Sequence, residues 1–225
     1  QDLKETVYGN RMNLAANCIG GVKYNVNAEL LDYMRKMLDK VEPQVDEIRE
    51  IYDTNSMVLA RTKGLGVLPK EDAIRLGVVG PVARGSGLQL DVRKDSPYAA
   101  YPDVEFKTIV EQSGCIHART MVRMHEVLES FSIIRQCIAR MPEGEVTAPM
   151  RQIRTAEACA RSEAPRGEVF YYIRTNETDI PSRLKWRVPS YMNWEALGVM
   201  MRDCKVADVA LITNSIDPCV SCTER

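Results

Sequence analysis

The chain has 225 residues, enough to bury a substantial core as one large domain without disulfides. Its hydrophobic fraction of 45% and charged fraction of 27% are typical of globular domains, which argues against disorder and against a membrane-spanning protein. Lys and Arg total 30 against 31 Asp and Glu, so there is no basic excess to neutralise phosphates, and we expect no nucleic-acid partner.

Seven cysteines at irregular spacing indicate a reducing compartment, where thiols stay free or bind metal. We therefore expect a cytoplasmic protein. The chain begins at Gln1 without an initiator methionine or a helix cap, and we interpret it as a portion of a longer polypeptide.

Two long helices are predicted. Apolar residues recur with a period close to 3.6 over residues 28–52, which predicts a helix with a potential kink at Pro43. A second apolar stripe predicts a helix over residues 119–141, ended by the Pro-Glu-Gly sequence at residues 142–144. Together these helices dominate the predicted fold.

The remaining elements are shorter. The glycine-rich residues 77–87 predict a tight, irregular backbone, and they lack the Gly-Lys-Ser/Thr sequence of a phosphate-binding loop. Residues 169–173 and 184–188 predict two strands of a hairpin with a long loop. Residues 193–201 predict a short helix, and an apolar run at 206–212 leads into the terminal motif. The expected fold class is mainly α with a small β-hairpin component (α+β).

The last residues carry the clearest chemical signal. They read DPCVSCTER over residues 217–225, and Cys219 and Cys222 are spaced so that both thiols can face one soft metal ion. Spacing alone leaves three interpretations open: half of a zinc site, a redox pair, or a chance pair. A stable metal site needs about four ligands, and this motif supplies two.

The whole string, however, closely resembles the DPCxxC signature of NiFe hydrogenase large subunits, and the final Arg225 resembles the energy-converting, membrane-bound branch that includes carbon-monoxide-linked enzymes. The resemblance extends along most of the chain. It includes GNRM at 9–12 with IGGV at 19–22, GPVARGSG at 80–87 with DVR at 91–93, EAPRG at 163–167 and VPS at 188–190. Parts of this pattern also resemble the large hydrophilic subunit of respiratory complex I, a relative that lacks the metal cysteines.

The resemblance implies a helical large-subunit fold and a nickel–iron centre whose iron carries carbon monoxide and cyanide. In this reading, Cys219 is a terminal nickel ligand and Cys222 bridges nickel and iron. Arg166 overhangs the open metal position and donates to a cyanide, and Asp217 orients Arg166. Ser190 donates to the other cyanide, and the pocket is also lined by Pro165 and Pro189.

The family takes two further cysteines from an N-terminal CxxC, and no other cysteine here has a partner at that spacing. Residues 1–225 would therefore be the C-terminal portion of a large subunit, ending where the family is trimmed during maturation. The implied partners are an iron–sulfur small subunit, membrane subunits of the same complex and a ferredoxin-type electron carrier. The implied location is peripheral, on the cytoplasmic side of the cell membrane.

Two alternatives remain. One is a metal-free scaffold of the complex I type that forms a quinone pocket or a coupling element, and the other is a zinc or thiol-redox module that uses only the final CxxC. The five single cysteines, at positions 18, 115, 137, 159 and 204, are interpreted as small buried apolar residues. His117 and His125 are interpreted as ordinary helix residues because no carboxylate accompanies them at metal-ligand spacing.

Overall fold

The computed structural model describes residues 1–12, 14–149 and 153–224. Its fold is α+β, as the sequence predicts. In chain order the elements are α1 (Asp2–Tyr8), β1 (Asn17–Cys18), β2 (Gly21–Val22), α2 (Ala28–Thr54), α3 (Ser56–Thr62), α4 (Lys70–Leu76), α5 (Gly80–Gly85), α6 (Val92–Asp95), α7 (Ile116–Ala139), β3 (Glu157–Ala164), β4 (Gly167–Arg174), β5 (Arg183–Arg187), α8 (Pro189–Trp194), α9 (Leu197–Met200), α10 (Val209–Ser215) and α11 (Val220–Thr223).

The two long helices pack against each other and carry one part of the core. Helix α2 is capped by Asn27, whose side chain accepts a hydrogen bond from the Leu30 amide at 2.8 Å, and it continues through Pro43 without a break. It contacts α7 through a cluster centred on Leu38 and Phe131. Both predicted helices are therefore confirmed.

Helix α7 begins at Ile116, three residues before the predicted start. Its first two turns are enclosed on nearly every side, with Ile116, Ala118, Met121 and Val122 all buried. Because these turns are buried on all sides, they have no one-sided apolar stripe, and the periodicity placed the start of the helix too late. The second part of the core surrounds these turns and includes Val82, Met200 and Ile212.

The sheet contains a strand that the sequence did not predict. Strands β3, β4 and β5 form an antiparallel sheet in that order, and β3 joins β4 through a two-residue turn, Pro165-Arg166, with Ala164 paired to Gly167. The β4–β5 hairpin with its long loop is confirmed. Strand β3 was missed because its alanines, glutamates and serine have low β-propensity, and pairing with β4 decides its conformation.

Other expectations need correction. Residues 80–85 of the glycine-rich stretch form a short buried helix rather than an irregular turn, and the predicted helix at 193–201 is split into α8 and α9. Of the five single cysteines only Cys115 is buried, and Cys159 is exposed because β3 lies at the surface. His117 lies in α7 with Nε2 3.3 Å from a carboxylate oxygen of Asp53.

A buried arginine fixes the segment that leads into the terminal motif. Arg119 is fully buried and bonds only neutral acceptors: Nη1 donates to the Gly114 carbonyl at 2.6 Å, Nη2 to the Gly66 carbonyl at 2.9 Å and Nε to Ser215 Oγ at 3.0 Å. Burial lowers the pKa of Arg119 to about 10. The guanidinium thus joins α7 to the end of α10.

We expect Ser215→Ala to lower the free energy of unfolding by about 2 kcal/mol, because a buried charged donor loses its acceptor. Urea denaturation measures the change. Ser56→Ala, at an exposed position of α3, is the control and should stay within about 0.5 kcal/mol of wild type. Equal stabilities for the two variants would show that Arg119 does not depend on Ser215.

Candidate functional site

The terminal motif folds into a turn that holds both cysteines. Asp217 has a left-handed backbone with φ of 54°, and after Pro218 the chain enters α11 with Cys219 as its N-cap residue. The Cys222 amide donates to the Cys219 carbonyl at 3.2 Å. The spacing of the two thiols therefore becomes one tight turn in which both side chains are half-buried.

A hairpin turn brings Arg166 to this motif. Arg166 is the second residue of the β3–β4 turn, its Nε donates to the Asp217 carbonyl at 2.5 Å, and its Nη2 lies 3.1 Å from Asp217 Oδ1. Two contacts from one guanidinium fix both its position and its plane. The structure thus places Arg166 and Asp217 in direct contact across 51 residues of sequence.

The position of the β3–β4 turn is fixed by two glycines, Gly80 and Gly167, whose backbones touch. Gly80 opens α5 with φ of 66°, and a Cβ at this position would collide with the Arg166 carbonyl. Gly167 has φ of 126°, and a Cβ there would lie 2.6 Å from the Gly80 amide nitrogen. Only glycine permits this approach, so the place of Arg166 depends on Gly80.

Helix α8 supports the motif from the other side. The Cys219 amide donates to Ser190 Oγ at 3.0 Å, and Trp194 Nε1 donates to Thr223 Oγ1 at 2.9 Å. The fully buried Asn193 locks α8 to the start of α5 by accepting from the Val79 amide at 3.0 Å and donating to the Val79 carbonyl at 3.3 Å. These two hydrogen bonds hold α8, which contacts the cysteine turn, against the start of α5, which contacts the β3–β4 turn.

The two thiols differ in acidity. The pKa of Cys219 is lowered to about 7, first by the Ser221 hydroxyl, whose Oγ lies 3.2 Å from the sulfur, then by the Cys222 thiol, with a smaller effect from Arg166. The pKa of Cys222 is raised by burial and by the neighbouring Cys219. One thiolate is therefore available near neutral pH, and thiolates are the form that binds metal.

We expect metal-free protein to show alkylation of Cys219 by iodoacetamide that increases with pH and is half-maximal near pH 7. Ser221→Ala should move this midpoint upward, because it removes the largest stabilisation of the thiolate, while Ser182→Ala, in the hairpin loop, should leave it unchanged. Peptide mass spectrometry gives the rate at each pH. A midpoint near 8.5, the ordinary cysteine value, would contradict the assigned environment.

The residues predicted from sequence come together at this one place. Arg166 contacts Asp217, Ser190 contacts the Cys219 backbone, and Pro189 opens the helix that carries Ser190. Pro165 and Asp217 line the same cavity. The roles given to these residues at a metal centre stay predictions, and Arg225 lies outside the described residues.

Sequence reasoning missed the supporting residues. Ser221 stands between the two cysteines, so its effect on a thiol could have been read from the sequence. The contact between Asn193 and Val79 could not be predicted in this way, because the two residues are 114 positions apart.

A buried acid–base cluster lies behind the hairpin turn and was also missed. Arg84 is 1% exposed, with Nε 2.6 Å from Glu126 Oε1 and Nη1 2.8 Å from Glu163 Oε1. Arg93 and Asp91 form a second pair at 2.6 Å. Burial raises the pKa of both Glu126 and Glu163, although Arg84 opposes the shift. Arg84, Asp91, Arg93 and Glu163 fall within motifs that carry the family resemblance, yet their charge pairing appears only in the fold.

A cavity of about 320 Å³ is lined both by this cluster and by Asp217 and Pro165, which lie next to the cysteine turn and to Arg166. Its lining comes from α5, α6, the segment between α6 and α7, α7, the end of β3 with the β3–β4 turn, and the terminal motif: Arg84, Arg93, Tyr101, Arg123, Glu126, Val127, Ser130, Glu163, Ala164, Pro165 and Asp217.

The donor set fits half of a soft-metal site. Cys219 and Cys222 offer two sulfurs beside a guanidinium, a set suited to nickel or iron. Within residues 1–12, 14–149 and 153–224, no cluster of three or more His, Cys, Asp or Glu side chains could hold a metal ion. A four-sulfur centre therefore needs ligands beyond this pair.

Fold and site together define an α+β protein in which a CxxC turn, capped by a hairpin arginine, offers a thiol site. The chain belongs to the family described as the respiratory-chain NADH dehydrogenase 49 kDa subunit, whose profile matches residues 1–157 and 150–225. Among the described residues, moreover, there is no helix of sufficient length and apolarity to cross a membrane.

Two relatives illustrate the two branches of the resemblance. The chain is 52% identical to the carbon monoxide-induced hydrogenase of Rhodospirillum rubrum, an alignment that covers 100% of this chain and 63% of the relative. It is 36% identical to a subunit of the NADH-quinone oxidoreductase of Dehalococcoides mccartyi strain 195, covering 96% of this chain and 60% of the relative. The chain thus spans about three fifths of the length of these relatives, and the resemblance predicted from its motifs is confirmed.

Proposed function

We propose that this chain is the C-terminal, metal-bearing portion of the catalytic subunit of a NiFe hydrogenase. The observation that supports this most directly is the thiol pair Cys219 and Cys222 in a turn whose Asp217 is held by Arg166, in a chain 52% identical to a carbon monoxide-induced hydrogenase. The reaction is the reversible conversion of dihydrogen into two protons and two electrons. The nickel–iron pair, when bound, supplies the polarisation that splits dihydrogen.

The residues of this chain hold and surround that centre. Cys219 would hold nickel and Cys222 would hold both nickel and iron, and a four-sulfur centre would need two further sulfurs beyond this pair. Arg166, held by Asp217, would donate a hydrogen bond to an anionic ligand of that centre. Ser190 accepts the Cys219 amide in this structure, and its own hydroxyl proton remains available for a second acceptor.

The proposal includes partners that carry the electrons and couple the reaction. Electrons pass through an iron–sulfur small subunit to or from a ferredoxin-type carrier, and separate membrane subunits couple their transfer to ion movement. The chain itself is peripheral, on the cytoplasmic side of the membrane. The metal-centre chemistry and these partners form one hypothesis, because a hydrogenase centre without an electron outlet cannot turn over.

The test is elemental analysis of the assembled complex together with dihydrogen oxidation by an artificial electron acceptor. We expect stoichiometric nickel and dihydrogen-dependent reduction of the acceptor. Zinc without nickel, or a reversible Cys219–Cys222 disulfide as the sole activity, would instead support a zinc or thiol-redox module.

A metal-free scaffold of the complex I type is the second candidate, favoured by the family match and by the 36% identity to a component of an NADH-quinone oxidoreductase. In that case the same fold would form a quinone pocket or a coupling element. It predicts an assembled complex without nickel whose activity survives loss of both terminal thiols.

We expect Arg166→Lys to retain nickel but to slow dihydrogen oxidation about 100-fold. A lysine ammonium cannot make two hydrogen bonds to Asp217 in the plane of a guanidinium and also donate to an anionic ligand of the metal centre. Arg161→Lys is the matched control, since Arg161 lies on the same hairpin and only approaches Glu168 at 3.5 Å. The rate with an artificial acceptor measures both. An unchanged rate for Arg166→Lys would remove the role given to this arginine but leave the thiol assignment intact.

A further inference from the structure

Two carboxylates behind the hairpin turn have no part in the chemistry proposed so far. Glu163 and Arg166 belong to the same β-turn region, yet Arg166 reaches Asp217 while Glu163 points into the protein. There it accepts from Arg84 Nη1 at 2.8 Å and from the Val92 amide at 3.2 Å. Glu126 binds the other side of Arg84, so one buried guanidinium holds both carboxylates together.

One cavity is lined by both carboxylates and by two residues of the candidate site. Asp217 and Pro165 line it at the site, Glu163 and Glu126 line it beyond, and it also reaches Val127, which is 41% exposed. Its volume of about 320 Å³ leaves room for several water molecules, and Glu126, Glu163 and Asp217 in its wall offer them hydrogen-bond partners. Asp217 beside the cysteines, both glutamates and the exposed Val127 thus share one cavity, which offers a route from the edge of the site to solvent.

Two donor nitrogens of an arginine in the wall of the cavity lack a protein acceptor among the described residues. In the part of the chain that the structure describes, Arg123 Nε and Nη2 are buried without a hydrogen-bond partner, and Nη1 donates to the Arg119 carbonyl at 3.2 Å. Buried donors of this kind are normally satisfied by ordered water. Arg123 thus gives independent support for water in the space between Asp217 and Glu126.

We propose that Glu163 and Glu126 relay protons between the thiol site and solvent through this cavity. The inference rests on the proposed function: when one dihydrogen molecule is oxidised, two electrons leave through the iron–sulfur partner and two protons must reach water. Water molecules carry each proton from the site to Glu163. Glu163 passes the proton on to Glu126, and Glu126 releases it to solvent beside Val127. In hydrogen evolution the same groups carry protons inward.

The surroundings of the two glutamates suit this task. Burial favours their neutral forms and Arg84 favours their charged forms, so neither form is strongly excluded. The charged and titratable groups that face them come from every neighbouring element: Arg84 of α5, Asp91 and Arg93 at α6, Arg123 of α7, and Tyr98, whose hydroxyl accepts from the Glu163 amide at 3.0 Å.

The test uses the complete assembled enzyme with Glu163→Gln and Glu126→Gln, because glutamine keeps an acceptor for Arg84 but cannot carry a proton. We expect each variant to retain nickel and to lose about 100-fold in the rate of hydrogen–deuterium exchange between dihydrogen and water. Infrared difference spectra, dihydrogen minus argon, should show a carboxylic C=O signal in wild type that is reduced in each variant. Glu163→Asp should recover part of the exchange rate.

Glu129→Gln is the matched control. Glu129 lies on the same helix, accepts from the Lys107 amide at 3.0 Å and is not among the residues that line the cavity, so exchange and spectrum should match wild type. Nickel-loaded Glu163→Gln and Glu126→Gln enzymes that exchange at the wild-type rate would overturn the relay and leave the hydrogenase proposal standing. If the variants fail to load nickel, the wild-type spectrum decides, and the absence of a carboxyl signal there overturns the relay. A wild-type complex without nickel overturns both proposals.

Discussion

Cys219→Ser and Cys222→Ser should each abolish nickel retention and dihydrogen oxidation in the assembled enzyme. A serine hydroxyl is a hard, weakly acidic ligand and does not replace a thiolate on a soft metal. Within the described residues, moreover, no cluster of three or more His, Cys, Asp or Glu side chains could hold a metal ion in place of this pair. We expect activity to fall at least about 1,000-fold, as loss of a group that acts in the reaction does.

The matched control for these variants is Cys159→Ser, because Cys159 is exposed on β3, away from the terminal turn. Nickel per complex, measured by mass spectrometry of the metals, should equal wild type in this control and fall to background in the other two. Wild-type turnover in either terminal variant would refute the assignment of a nickel site and favour the metal-free scaffold.

The second large effect is expected at the contact between Gly80 and Gly167. Gly80→Ala adds a Cβ that collides with the Arg166 carbonyl, and Gly167→Ala adds one 2.6 Å from the Gly80 amide nitrogen. Both positions also have positive φ, which alanine adopts only with strain. Because the colliding atoms are backbone, the hairpin turn must move, and we expect a loss of about 3 kcal/mol or more in the free energy of unfolding.

Gly198→Ala is the control for this pair. Gly198 lies in α9, and a Cβ there meets nothing within 4 Å, so alanine should leave stability unchanged or raise it by about 0.5–1 kcal/mol. Urea denaturation measures stability, and nickel content reports whether the displaced turn still permits metal loading. If Gly80→Ala unfolds at the same urea concentration as Gly198→Ala, the turn is not fixed by the glycine contact.

The sequence alone predicted the strongly periodic and locally encoded parts of the fold. Helix α2 has an apolar stripe with a period close to 3.6, and the β4–β5 hairpin has β-prone runs separated by a polar loop. Strand β3 and the helical form of residues 80–85 could not be read in this way. Their residues favour neither conformation by themselves, and pairing with β4 and burial beside α7 decide the outcome.

For the site, the sequence by itself determined which residues can carry the chemistry: two thiols at CxxC spacing, and the proline, arginine, aspartate and serine residues of motifs that resemble one family. Only the tertiary structure decided that Arg166 lies on Asp217, that Ser190 holds the Cys219 amide, and that Glu163 and Glu126 share Arg84. The physical reason is that such contacts join residues from 29 to 79 positions apart. Which of these residues meet depends on how the backbone packs, for example at the contact of Gly80 with Gly167. Such packing produces no periodic pattern in the sequence.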